Sequence, residues 1–92
     1  MQTLLITYDL NKPGQDYSDF YKIIKSYAWA KLSESSYAIS TLCTPREILD
    51  QLRPYVDDGD NVYIVTLITP YSGRGPEDVN AWLRDKLVHA YS

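Results

Sequence analysis

An apolar run at residues 3–10 constrains the fold more than any other stretch of the chain. Side chains alternate across a β-strand with a period of two. One side of this run carries Leu4, Ile6, Tyr8 and Leu10, and the other carries Leu5, Thr7 and Asp9. Apolar residues on both sides are typical of a strand inside a sheet. We therefore expect a central strand that ends in a carboxylate, Asp9. That carboxylate either accepts hydrogen bonds from the turn that follows or takes part in chemistry.

Size and composition predict one globular domain. Its 92 residues suffice for a single hydrophobic core, and 45% hydrophobic with 23% charged residues is ordinary for such a domain. No basic and apolar leader or long apolar span is present, so we expect neither export nor membrane insertion. The single cysteine, Cys43, cannot form an internal disulfide and favours the reducing cytoplasm. With His89 it makes too few ligands for a Cys/His metal cluster.

Charge is unevenly distributed along the chain. A formal net charge of −3 argues against a general affinity for nucleic acid. Residues 1–46 carry five basic and four acidic side chains, whereas residues 47–92 carry four basic and eight acidic ones. We therefore expect the first half to meet any polyanion. Its lysines are Lys12, Lys22, Lys25 and Lys31.

A helix and two strands are predicted after the first strand. Asp16 is a suitable N-cap for the helix, whose apolar face would carry Tyr17, Phe20, Tyr21, Ile24, Tyr27 and Ala28. Ser18, Lys22, Lys25 and Ser26 would face water. Residues 29–32 and 35–42 are predicted strands joined at Ser33-Glu34. The small residues Ser36, Ala38 and Ser40 share one side of the second of these, where a helix, another subunit or a phosphodiester backbone can approach closely.

The second half of the chain predicts two helices and one strand. Thr44-Pro45-Arg46-Glu47 is a capping box for a helix that would bury Ile48, Leu49, Leu52 and Val56 and be disturbed before Pro54. The acidic turn 57–61 lacks the spacing of a calcium loop. Residues 62–68 are predicted as a second central strand. A loop with Arg74 precedes a last helix, which begins at Pro76 and carries Val79, Trp82, Leu83, Leu87 and Ala90 on one face.

This order of elements predicts a ferredoxin-like α+β fold. Two split βαβ halves would form a four-stranded antiparallel sheet with helices on one face. The single domain would span residues 1–92, with a core at 1–68 and an extra C-terminal loop and helix at 69–92. The other face of the sheet would remain uncovered, as a dimer surface or a ligand platform.

The first three quarters of the sequence resemble a known family. Tyr8-Asp9-Leu10 at the end of the first strand, the amphipathic helix and Leu32-Ser33-Glu34-Ser35-Ser36-Tyr37 are similar to the small CRISPR-associated adaptation protein, the non-integrase partner of the spacer-inserting complex. The resemblance covers residues 1–68. The segment from Tyr8 to Tyr17 is more similar to SinR-like proteins of the same superfamily, and VapD ribonucleases are more distant relatives.

The resemblance implies a role for Asp9 as a catalytic Mg²⁺ ligand that meets its counterpart across the two-fold axis of a homodimer. Two carboxylates, phosphate oxygens and water can complete an octahedral Mg²⁺ site. Lys12 and the hydroxyls of Ser33, Ser35 and Ser36 would then lie near the phosphate of an RNA or DNA. Further candidate site residues are Tyr8, Lys22, Lys25, Lys31 and Arg74.

Three departures from the family pattern argue against a role as a scaffold for double-stranded DNA. Lys12 is the only basic residue where the family has an arginine-rich entry to the first helix. Ser33 stands where the family often has Gln, and the tail is predicted as a helix rather than a strand. Three functions therefore remain open: a dimeric Mg²⁺-dependent endonuclease, a non-catalytic module that binds a protein partner, and a nucleic-acid binder without cleavage.

Overall fold

A computed structural model describes residues 1–87 of the chain. Its elements are β1 (Gln2–Asp9), α1 (Ser18–Ile24), β2 (Ala28–Ser33), β3 (Ser36–Thr41), α2 (Pro45–Leu52), β4 (Asn61–Leu67) and α3 (Glu77–Lys86), with a 3₁₀ turn at Arg53–Tyr55. Ala90, expected on the last helix, and His89 lie outside the described residues. Within residues 1–87, no helix is both long enough and apolar enough to cross a membrane.

The four strands form one antiparallel sheet in the order β2-β3-β1-β4. β1 is therefore central, as its sequence predicts. It pairs with β3 from Gln2↔Thr41 to Thr7↔Ser36 and with β4 from Thr3↔Leu67 to Asp9↔Asn61. This is the ferredoxin-like arrangement, which confirms the expected fold class.

The main core lies between the sheet and the helices α1 and α2. Its buried residues are Leu4, Ile6, Tyr8, Phe20, Ile24, Tyr37, Ile39, Ile48 and Leu52. The β1 residues among them are the even-numbered ones, which the alternation places on one face. Full burial of a Leu, Ile or Phe side chain contributes about 1.5–3 kcal/mol, so this cluster is the principal source of the fold's stability.

The predicted capping box of α2 is present. The Thr44 hydroxyl accepts from the backbone N–H of Glu47 at 3.2 Å, and the Glu47 carboxylate accepts from the backbone N–H of Thr44 at 2.9 Å. The helix ends at Leu52 and passes into the 3₁₀ turn that contains Pro54. This change at Arg53 agrees with the restriction that a proline places on the preceding residue.

The ends of α1 differ from their predicted positions. The helix begins at Ser18, whose N–H donates to the Asp16 carboxylate at 2.9 Å, so Asp16 caps it from one residue further out than expected. It ends at Ile24, and Ala28, predicted on the helix, is the first residue of β2. The ring of Tyr27 packs against the main core all the same, which explains why the sequence pattern continues past the helix.

A β-bulge in β2 determines which side chains face the main core. Lys31 pairs with Tyr37, but Ser33 pairs with Ser36, so the register shifts by one residue between them. A bulge adds one residue to one strand and reverses the alternation beyond it. As a result Trp29 and Lys31 lie on the same face as Tyr37 and Ile39, and Ala28 and Ala30 lie on the other.

Helix α3 covers part of the second face of the sheet, which the sequence predicts to be uncovered. Ala38 is fully buried against Leu83 and Leu87, and Leu67, Tyr71, Val79 and Trp82 pack around them. The Thr3 hydroxyl also donates to the Lys86 carbonyl at 2.9 Å. The expectation of a bare face is therefore wrong: the small residues of β3 admit a helix of the same chain.

The prediction that β4 is a second central strand is also wrong. β4 lies at the edge of the sheet, and the second central strand is β3. Tyr63 and Val65 are exposed on the second face, beyond the reach of α3. The run 62–68 is apolar because Val62 and Ile64 pack against the main core and Leu67 packs under α3. Tyr63, Val65 and Ile68 are exposed.

Candidate functional site

Three of the lysines singled out in the sequence converge on one cleft of about 600 Å³. We call it the lysine–tyrosine cleft. Its lining residues are Tyr8, Ser18, Tyr21, Lys22, Lys25, Lys31, Glu34 and Tyr37. Four separate elements and the β2–β3 turn supply them, so the cleft exists only in the folded chain.

Helical spacing and the β-bulge bring the lysines together. Ser18, Lys22 and Lys25 follow one another by four and three residues, which places them on one side of α1 and its C-cap. Lys31 comes from β2, and the bulge turns it toward this side of the sheet. Without the bulge, Lys31 would lie on the face occupied by α3.

The floor of the cleft is an aromatic cluster. The Tyr8 ring packs edge-on against Phe20 and Tyr21, at centroid distances of 5.1 and 5.8 Å. It stacks on Tyr37 at 6.4 Å, and Tyr37 contacts Trp29 at 5.6 Å. Aromatic pairs in these geometries contribute about 0.5–1.5 kcal/mol beyond the area they bury. The cluster therefore forms a packed floor beneath the lysine side chains.

The Tyr8 hydroxyl is held as a neutral hydrogen-bond donor. It donates to the backbone carbonyl of Glu34 at 3.2 Å. Burial raises the pKa of Tyr8 far above its ordinary value, and a side-chain hydrogen bond with Tyr21 raises that pKa further. Tyr8 therefore stays protonated at neutral pH and ties β1 to the β2–β3 turn at the edge of the cleft.

The electrostatics of the cleft oppose those of the whole chain. Three lysines and one glutamate line it, whereas the chain carries a formal charge of −3. The Lys25 ammonium lies 5.2 Å from the Trp29 ring centroid and 6.0 Å from that of Tyr37, within range of a cation–π interaction. Lys31 lies 3.5 Å from Glu34, whose side chain is almost wholly exposed. Solvent screens that pair, so it is weak, and Lys31 remains free to bind an anion.

The other predicted phosphate contacts lie outside the cleft. The ammonium of Lys12 is 3.6 Å from the Asp57 carboxylate, beside the acidic turn. The hydroxyls of Ser33 and Ser36 bond each other at 2.7 Å, and the Ser33 hydroxyl also accepts from the N–H of Ser35 at 3.2 Å. These serines form the β2–β3 turn, and their position gives them a structural role.

The acidic turn itself is organised by Asp60. Its carboxylate accepts from the backbone N–H groups of Asn11 and Asp57, at 2.7 and 2.9 Å, and from the Tyr17 hydroxyl at 2.8 Å. The bond from Asp57 contributes most to lowering the pKa of Asp60 below its ordinary value. Asp60 thus fastens the acidic turn to the 11–17 loop, which gives this carboxylate a structural role.

Asp9 is exposed at the carboxyl end of β1, on the opposite face of the sheet from the lysines. It borders a shallow cleft of about 320 Å³ with Thr7, Tyr8, Asn61 and Tyr63. Asn61 is its direct partner in the β1–β4 ladder. Asp9 and the lysine–tyrosine cleft therefore lie at the same end of the sheet, but one phosphate cannot contact both.

The residues around Asp9 do not make a Mg²⁺ site within one chain. Mg²⁺ requires oxygen ligands in near-octahedral geometry and is usually bound through one or two carboxylates with substrate phosphates. Asp9 supplies the only carboxylate among the residues of this shallow cleft. Residues 1–87 contain no group of three His, Cys, Asp or Glu side chains close enough to hold a metal ion.

Arg74 lies far along the chain from both sites, in the loop between β4 and α3. It borders an apolar cavity on the second face of the sheet together with Leu5, Leu67 and Leu83. The described part of the chain thus places the predicted site residues in five locations: the lysine–tyrosine cleft, the end of β1, this cavity, the acidic turn beside Lys12, and the β2–β3 turn with its serines.

The sequence alone does not reveal the role of Tyr21, Tyr37 and Trp29 at the site. Tyr21 and Tyr37 read as core residues, and the structure makes them the floor of the cleft. Pairing of Lys31 with Tyr37 across the β2–β3 hairpin would have indicated that this lysine lies above the aromatic residues. The bulge hid that pairing, because a regular two-residue turn would place Leu32 opposite Tyr37.

Comparisons with known proteins support the fold and no function. No family model matches the chain, and no curated protein matches it significantly. The fold is similar to the crystal structure of a hypothetical protein, TT1823, from Thermus thermophilus, with a TM-score of 0.61 and 18% sequence identity over 82% of this chain and 94% of that one. At this identity the likeness shows a shared α+β fold with a four-stranded antiparallel sheet.

Proposed function

We propose that this protein binds single-stranded nucleic acid through the lysine–tyrosine cleft. The observation that carries the proposal is the convergence of Lys22, Lys25 and Lys31, from α1 and β2, above one aromatic cluster. Lysine ammonium groups bind phosphates as point charges. Phosphate contacts supply most of the affinity of nucleic-acid binding that lacks sequence specificity.

An exposed aromatic ring next to the lysines favours a single strand over a duplex. Trp29 is 41% exposed and contacts both Lys25 and Tyr37. Bases of a single strand stack on such rings, at about 1–3 kcal/mol per base, whereas bases of a duplex are already stacked. The single free thiol, Cys43, fits a reducing compartment, so we place this binder in the cytoplasm.

The test is a titration of labelled single-stranded DNA and RNA by fluorescence anisotropy at several salt concentrations. The triple variant Lys22→Gln, Lys25→Gln, Lys31→Gln should bind about tenfold more weakly, because three exposed contacts contribute about 0.5 kcal/mol each. The slope of log affinity against log salt should change from about −2 toward zero.

A matched control removes the same amount of charge elsewhere. The triple variant Lys12→Gln, Arg46→Gln, Lys86→Gln alters three basic residues that lie outside the cleft. It should keep the wild-type affinity within about twofold, because it loses no direct contact. Equal losses in the two triple variants would mean that only net charge matters, and the cleft would lose its assigned role.

A second candidate function is Mg²⁺-dependent cleavage at Asp9 in a homodimer. One specific observation favours it. Asp9 is exposed beside Tyr63, and the exposed side chains of Tyr63 and Val65 form the adjoining part of the second face. A second copy on that surface would bring a second carboxylate to the site, as Mg²⁺ requires.

Asp9→Ala separates the two candidates. If the chain only binds nucleic acid, this variant should match the wild type in affinity, because Asp9 faces away from the lysines. If the chain cleaves, the variant should lose Mg²⁺-dependent cleavage of the same oligonucleotides. Light scattering at the assay concentration gives the mass of the species, and a monomer would exclude the dimeric nuclease.

A further inference from the structure

A second cavity, of about 370 Å³, lies on the face of the sheet opposite the lysine–tyrosine cleft. The second face of the sheet, the loop after β4 and helix α3 enclose it. Its apolar wall includes Leu5, Leu32, Leu67, Ile68, Val79 and Leu83. Its size falls within the range of small-molecule sites, which are mostly apolar with a few polar groups.

Arg74 is the only charged residue among the described residues that line this cavity. It forms no ion pair with any side chain of residues 1–87. Two of the neighbouring polar side chains already have partners: the Tyr71 hydroxyl donates to Asn80, and the Asn80 amide donates to the Pro76 carbonyl. Ser72 also lines the cavity and adds a hydroxyl. Within residues 1–87, the cavity therefore combines an apolar wall with one bordering arginine whose guanidinium has no ionic partner.

We propose that this cavity binds a small amphiphile, an unbranched hydrocarbon chain that ends in a carboxylate. The apolar wall fits the chain, and the guanidinium of Arg74 fits the head group, because arginine pairs with a carboxylate through two parallel hydrogen bonds. A carboxylate suits the site better than a phosphate monoester, since one guanidinium balances one negative charge. This proposal is independent of the nucleic-acid site.

The head group is tested by titration calorimetry of the full chain with decanoate, decanol and decylamine, each below its micelle concentration. Decanoate should bind saturably with one molecule per chain. Decanol should bind about tenfold more weakly, because it lacks the charge-assisted pair, and decylamine should bind more weakly still. Equal binding of all three, or no saturable binding of decanoate, would overturn the proposal.

The hydrocarbon chain is tested with the series hexanoate, octanoate and decanoate. Each added methylene should tighten binding roughly three- to fourfold if it enters an apolar cavity. The amide signals of Gly73 and Gly75, which border the cavity, should shift on titration, while the amide signals of Lys22 and Lys25 should not. Shifts at the lysines instead would place the ligand in the lysine–tyrosine cleft and refute the site.

Two variants locate the site further. Arg74→Gln should weaken decanoate binding about tenfold and leave decanol unchanged, whereas Arg46→Gln, an exposed arginine paired with Asp50, should have no effect. Ile68→Asp places a negative charge on the cavity wall at a residue that is 53% exposed, so folding should tolerate it and decanoate binding should be lost. Wild-type affinity in either cavity variant would exclude this cavity.

Discussion

Tyr8 links the stability of the core to the shape of the lysine–tyrosine cleft. Its ring lies among Phe20, Tyr21 and Tyr37, and its hydroxyl donates to the Glu34 carbonyl. A buried phenol is costly to ionise, which is why its pKa is raised. One side chain thus anchors both the central strand and the turn that ends β2.

The raised pKa of Tyr8 predicts a loss of stability in alkali. As the pH rises, the unfolded chain releases the Tyr8 proton near the ordinary tyrosine pKa of about 10, while the folded chain retains it. The contribution of protonated Tyr8 to the free energy of unfolding is therefore complete below that pH and declines above it. Tyr8→Phe should lower the free energy of unfolding at neutral pH by about 1 kcal/mol, through loss of the hydrogen bond, and should make the decline above about pH 10 shallower.

Urea unfolding at a series of pH values measures this effect. Tyr63→Phe is a matched control, because Tyr63 is 66% exposed on the second face, and its stability should follow that of the wild type at every pH. If the unfolding free energies of Tyr8→Phe and Tyr63→Phe depended on pH in the same way, the burial of Tyr8 would not be the cause of the loss of stability in alkali.

At the scale of the elements, the sequence predicts correctly those features that depend on interactions between residues close together in the chain. The capping box of α2 and the change of helix type before Pro54 depend on neighbours in sequence, and both are present. The bulge in β2 was not predictable in this way. Nothing in Trp29-Ala30-Lys31-Leu32 marks an extra residue, because the bulge depends on pairing with another strand, which places the buried Ala30 opposite Ala38.

The assignment of β4 shows a second limit of sequence reasoning. A run such as Val62–Ile68 indicates a strand but does not say how many neighbours it has. Its apolar character suggested a central position, yet α2 and the main core account for only one of its sides. The same limit applies to Asp9: the sequence placed it correctly at the end of a strand, but not on a face opposite the lysines.

The whole molecule has three layers whose two interfaces differ in strength. Among residues 1–87, helices α1 and α2 cover one face of the sheet over nine buried core residues, whereas α3 covers the other over three, Ala38, Leu83 and Leu87. Segments with few buried apolar contacts open locally at lower free energy than the core. The layer that carries the Arg74 cavity is therefore easier to open than the layer that carries the lysine–tyrosine cleft.

This difference predicts separate responses to two matched core mutations, read by native-state hydrogen exchange. Leu83→Ala should cost about 2–5 kcal/mol of docking energy and remove protection from the amides of α3, while the amides that join β1 to β3 stay protected. Ile39→Ala acts on the other face of the sheet, in the main core. Because it weakens the interface that stabilises the whole fold, it should lower protection in every element.

Equal losses across the sheet in both variants would mean that α3 and the sheet unfold as one unit. In that case a ligand in the Arg74 cavity would stabilise the lysine–tyrosine cleft as well, and the two sites would be energetically linked through the fold.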